Sequence, residues 1–105
     1  MEYERLSEKK QQKNFFGLPK ESRVSIKDLI DQDIVVMEYM NVVIRGESKI
    51  AVKFCFLEGD ETPKLFFTRS ETIKDKLSSD EEYLPCVITI REKVNKGGRK
   101  YYTYE

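Results

Sequence analysis

From residue 34 onward, apolar residues recur at strand spacing, and one stretch at helical spacing interrupts them. Residues 34–45 and 49–58 are apolar-rich and separated by Gly46-Glu47-Ser48, which predicts two strands joined by a turn. Lys64–Thr68, behind the acidic turn Glu58-Gly59-Asp60-Glu61, predicts a third. The period then changes. Ile73 and Leu77 stand four apart behind Ser70, a residue type that accepts a backbone N–H at helix N-termini, so residues 71–77 are expected to form a short helix. After Pro85 the strand spacing returns in Cys86–Val94, turns at Asn95-Lys96-Gly97-Gly98, and continues through residues 99–105.

Alternation also sorts the faces, because successive side chains of a strand point to opposite sides. In strand 2, Ile50, Val52, Phe54 and Phe56 fall on one side and read as core, with Ala51, Lys53 and Cys55 on the other. In strand 4, Cys86, Ile88 and Ile90 point inward and Val87, Thr89, Arg91 and Lys93 outward. Strand 1 is apolar on both faces at residues 34–37 and again at 42–44, the pattern of a long strand that bends; its middle, residues 38–41, leaves the face assignment open. Upstream, residues 24–30 predict one turn of helix with Ser25 as N-cap and Ile26, Leu29 and Ile30 inward.

Residues 1–20 form a separate region, because residues 1–14 lack a continuous apolar stripe and are expected to be a flexible arm. The arm closes with Phe15-Phe16-Gly17-Leu18-Pro19. Phe15, Phe16 and Leu18 have two readings, as anchors of the arm on its own domain or as a docking peptide for a protein partner. The chain divides into this arm and one domain over residues 21–105.

Three strands, a helix and two strands is the connectivity of the oligonucleotide/oligosaccharide-binding fold, a partly open five-stranded Greek-key barrel that binds ligands on strands 2–3 and the flanking loops. The expected class is therefore all-β with one short helix between strands 3 and 4. Leu65-Phe66-Phe67-Thr68-Arg69-Ser70, then Ile73 and Leu77, then Leu84-Pro85-Cys86-Val87, then Gly97-Gly98-Arg99-Lys100-Tyr101-Tyr102 resemble the small single-stranded-DNA-binding proteins of phages and mobile elements. That resemblance covers roughly residues 25–105 and implies a non-enzymatic binder of single-stranded DNA in replication or recombination. In such a barrel Cys55 and Cys86 fall on strands 2 and 4, which are not neighbours, so two reduced, packed thiols are expected.

Composition tempers this reading. Among 105 residues, 19 Lys and Arg balance 19 Asp and Glu, so no global charge draws the chain to nucleic acid. The basic residues gather locally instead, at Arg91, Lys93, Lys96, Arg99 and Lys100 against the single acid Glu92. With no histidine, no cysteine cluster and no GxSxG or GKS/T run, the sequence lacks the usual nucleophile-base, metal and nucleotide-phosphate constellations; no enzyme activity and no cofactor are expected. No apolar run approaches a membrane span and residues 1–13 lack a signal-peptide pattern, so a cytoplasmic protein without a membrane partner is expected; a homo-oligomer is compatible with the same pattern.

Single-strand binders pair a cationic groove with rings on which bases stack. The candidates here are the rings of Tyr39, Phe66 or Phe67, Tyr101 and Tyr102, and the charges of Lys49, Lys53, Arg69, Arg91, Lys93, Lys96 and Arg99. Only one of Phe66 and Phe67 can face outward in a regular strand. Gly97 and Gly98 read as turn residues, and the flanking Lys96 and Arg99 as the better ligand contacts. The alternative function is a protein-interaction module of the same fold without nucleic-acid binding.

Overall fold

The computed structural model describes residues 15–105, so the arm expected over residues 1–14 lies outside the described residues. Three short 3-10 turns, Phe15–Gly17, Lys20–Ser22 and Ile26–Leu29, lead into β1 (Asp33–Ile44). β2 (Glu47–Phe56), β3 (Lys64–Thr68), the helix α1 (Glu71–Asp80), a further 3-10 turn, β4 (Cys86–Val94) and β5 (Lys100–Tyr104) follow. The strands are antiparallel and lie in the order β3-β2-β1-β4-β5. α1 therefore carries the chain from one edge of the sheet to the far side of β1. Every neighbouring pair is antiparallel, so β3 and β5, the two outer strands, run in the same direction.

Two departures from the simple pattern shape the long β1–β2 hairpin. Its turn is only Arg45-Gly46, with Ile44 already paired to Glu47, where a three-residue loop was expected. Both residues have positive φ, +51° and +78°, as a two-residue type I′ turn requires, and this twist lets pairing run to the tip. At Met37 the register skips between Val36, opposite Phe54, and Glu38, opposite Lys53. The extra residue reverses the parity of β1. Ile34 and Val36 point into the core before it and Tyr39, opposite Val52, does so after it, which explains why β1 is apolar on both faces.

The core gathers Leu29, Ile34, Val36, Ile50, Val52, Phe54, Phe66, Ile88, Ile90 and Tyr104, covered from one side by Ile73 and Leu77 of α1. Phe54 packs edge-on against Phe56 (5.7 Å between centroids) and at a tilt against Phe66 (5.5 Å). The inward faces of β2 and β4 agree with their alternation. The opposite face of β2 is less open than alternation suggests: Ala51 is fully buried between Met40 and Phe67 of the neighbouring strands, and Cys55 is buried as well. A small side chain flanked by large cross-strand neighbours loses its access to water. Cys55 and Cys86 are free thiols on non-adjacent strands.

The outward edge of β5 is closed by side chains. Thr89 and Glu105 exchange both backbone bonds and Asn95 N–H donates to the Arg99 carbonyl, so the odd residues of β5 face β4 and residues 100, 102 and 104 turn their backbone outward. The Tyr102 carbonyl accepts from Ser70 Oγ (2.8 Å), and the Tyr104 carbonyl accepts from Lys76 Nζ. The same Ser70 Oγ accepts from Ile73 N–H (3.2 Å) as the N-cap of α1. One hydroxyl thus starts the helix and ties it to β5. Ser70→Ala is expected to lose about 2 kcal/mol, the sum of a typical cap and a typical hydrogen bond. Ser70→Asp keeps the cap acceptor but cannot donate to Tyr102; if urea denaturation finds it as stable as the unmodified protein, the β5 tie contributes nothing.

Candidate functional site

Where the end of β3 passes the start of β5, no ladder joins the two strands among the described residues, and a groove of about 490 Å³ lies between them. Phe67, Tyr101 and Tyr102 supply aromatic surface to its walls, and Lys49, Arg69 and Lys100 supply charge. Ser70 and Glu71, at the N-terminus of α1, close one end, and a smaller cleft of about 150 Å³ continues past Lys49, Arg69 and Ser70 to Asn41 and Lys74. Backbone register fixes the arrangement. Phe67 lies opposite Ala51 on the face away from Phe66, and Tyr101 opposite Lys93 on the face away from Tyr104.

The residues singled out from the sequence divide accordingly. Phe66 is fully buried beside Phe54 and cannot stack on a ligand; the alternation of β3 gives that position to Phe67, which is half-buried. Tyr39 is half-buried and packs against the core, because the bulge at Met37 turns it inward. Tyr102 also packs against the core while lining the groove, which leaves Tyr101 as the more available ring of β5. Lys49 lies 3.9 Å from Glu47, Lys53 3.9 Å from Glu38 and Arg69 3.3 Å from Glu47, pairings with exposed glutamates, of small energy, that a phosphate can displace.

Arg91 and Lys93 are paired with acids too, and Arg91 more closely than any cation of the groove. Arg91 bonds Asp31 at 2.7 Å and lies 3.5 Å from Glu105, and Lys93 lies 3.6 Å from the same Glu105. The hydrogen bond to Asp31 holds the Arg91 guanidinium above even its ordinary high pKa. Neither residue lines the groove. Both acids come from outside the basic run, so the local excess of positive charge in the sequence is reduced, though not removed, in the fold. Lys96 and Arg99 are different: both are exposed and pair with no acid among the described residues. Lys96 opens and Arg99 directly follows a three-residue hairpin loop, residues 96–98, in which Asn95 Oδ1 accepts from Gly97 N–H (2.9 Å) and Arg99 N–H (3.0 Å), and Gly98 takes the positive φ (+81°) that such a loop needs. The loop leads into Lys100, which lies 3.8 Å from Glu92 and lines the groove.

Elsewhere the chemistry is structural. Tyr104 buries its ring, donates its hydroxyl to Asp80 (2.7 Å) and lies under the Lys76 ammonium, 4.7 Å from the ring centroid. Burial first, then Asp80, pushes its pKa far above that of an ordinary tyrosine, and burial likewise raises the Cys86 thiol, which disfavours its nucleophilic thiolate. The unfolded chain ionises Tyr104 near its ordinary value of about 10 while the fold retains the proton, so stability is full below that pH and declines above it. Tyr104→Phe is expected to flatten the alkaline limb of a denaturation free-energy profile between about pH 9.5 and 11.5. An unchanged limb in the variant assigns the decline to other groups. Among the described residues no group of three His, Cys, Asp or Glu could hold a metal ion, and no helix is long and apolar enough to cross a membrane.

Arg23 was not legible as a site residue. It belongs to no strand or helix, and only the parallel bridge between Arg23 and Leu65 brings it beside β3, where its guanidinium lies 4.3 Å from the Phe67 ring centroid. The model of one protein family, described as Domain of unknown function (DUF8468), matches residues 20–104. No curated protein and no solved structure matches the chain.

Proposed function

The chain belongs to that family, Domain of unknown function (DUF8468), and from the geometry of the groove we propose that it is a non-enzymatic single-stranded-DNA-binding protein, with a role in phage or mobile-element replication or recombination proposed from the sequence resemblance alone. The fold we assign to it is the oligonucleotide-binding barrel. Support for the fold comes from the spatial order of the first four strands, in which β4 returns through α1 to lie beside β1, the order of a Greek key. The observation that carries the function is the groove between β3 and β5, where three rings and three cations line one continuous depression. Bases stack on rings irrespective of their identity, and cations track the phosphates, so little sequence preference is expected.

The test is a fluorescence titration of a labelled single strand of about thirty nucleotides, long enough for one to several sites of this fold, at low and high salt. Saturable binding that weakens with salt is expected, with a shallow slope because few cations are unpaired. Absence of binding at low salt would overturn the reading. One observation favours the rival, a protein-interaction module: Asp31 and Glu105 neutralise Arg91 and Lys93, leaving that part of the surface without net charge. Phe16 and Leu18 are half-buried, which restricts what they offer as docking groups.

A further inference from the structure

Arg23 is held in place from both sides. Its own N–H donates to the Lys20 carbonyl (3.1 Å), and the next residue, Val24, donates to the Leu65 carbonyl of β3 (2.8 Å). Its side chain therefore starts from a fixed point beside β3 and lies over Phe67, a wall of the groove. Lys49, Lys53 and Arg69 each pair with a glutamate on this part of the surface, whereas Arg23 pairs with no acid among the described residues. A guanidinium held over a ring by its carbon centre still presents N–H donors that can bond a phosphate. Because the ring and the backbone have already ordered the side chain, a ligand has less rotamer entropy to remove than at a lysine on a mobile stem.

We infer that Arg23, which lies over the groove residue Phe67 without itself lining the groove, is a further nucleic-acid contact that bonds a backbone phosphate of the bound strand. The inference rests on the single-strand-binding reading of the groove. The experiment compares the unmodified chain with Arg23→Ala, Arg23→Lys and Lys27→Ala by titration of the same labelled single strand across a salt series, with thermal melting alongside. Lys27 is exposed like Arg23 and, like it, lines neither cleft, so it controls for loss of one positive charge that is not held over Phe67.

Arg23→Ala is expected to weaken binding about tenfold and to lower the slope of log affinity against log salt by about 0.7, the value for one phosphate contact on a single strand. Arg23→Lys should retain the slope but regain only part of the affinity, because an ammonium keeps the charge without the guanidinium's fork of donors. Lys27→Ala should change neither. Arg23→Ala binding as tightly as the unmodified chain, or as weakly as expected but with a parallel fall in melting temperature below the assay temperature, overturns the inference. Tighter binding by Arg23→Ala also overturns it and makes the guanidinium a cover over Phe67. Failure of the unmodified chain to bind is a separate result, which removes the single-strand reading itself.

Discussion

Phe54→Ala is expected to cost about 3–5 kcal/mol, a large part of the stability of a domain of this size. Phe54 is fully buried and touches the rings of both Phe56 and Phe66, so truncation leaves a cavity bounded by aromatic groups that cannot collapse without moving two strands. The transfer and cavity contributions therefore add. The preceding residue of β2 provides the contrast: Lys53 points to the other face, where its ammonium lies 3.9 Å from Glu38. Lys53→Ala should cost under about 1 kcal/mol, in line with exposed ion pairs. Urea denaturation of both variants checks the orientation of β2. Comparable losses would mean that the two faces have been exchanged, and with them the side on which Phe67 stands.

That orientation was legible in β2 and β4, where large apolar residues recur at every second position, whereas the continuous run Leu65-Phe66-Phe67 of β3 left open which ring faces outward; Lys64–Thr68 and Cys86–Val94 match their predicted limits. Helix α1 was legible at its start, where a serine hydroxyl caps a chain whose apolar spacing has just changed. Its end was not: Ser78, Ser79 and Asp80 add three residues beyond the predicted limit without any apolar signal. The bulge at Met37 inserts one residue with no compositional mark, and its presence can be inferred only from β1 being apolar on both faces. Charge was the least legible property. Arg91 and Lys93 look free in the sequence because Asp31 and Glu105, which neutralise them, stand outside the basic run. Arg23 was hidden for the converse reason, since the bridge to Leu65 that puts it over Phe67 is formed by a segment without periodicity.

The remaining free charge can be separated from stacking by one set of variants. Replacing Lys96 and Arg99 together by alanine removes two exposed cations that pair with no acid among the described residues, beside the loop that leads into the groove. The slope of log affinity against log salt should fall by about 0.7 for each cation that meets a phosphate, about 1.4 in all if both do. Tyr101→Ala should instead lower affinity by roughly 1–3 kcal/mol at every salt concentration with the slope nearly unchanged, because stacking releases no counterions. Tyr102→Ala will confound binding with stability, since that ring also packs against the core. The two signatures answer different questions about the same groove. A slope change in the double variant without an affinity change in Tyr101→Ala places the strand along the hairpin and away from the β5 ring, whereas unchanged slopes in the double variant place the phosphates on Lys49, Arg69 and Lys100 within the groove itself.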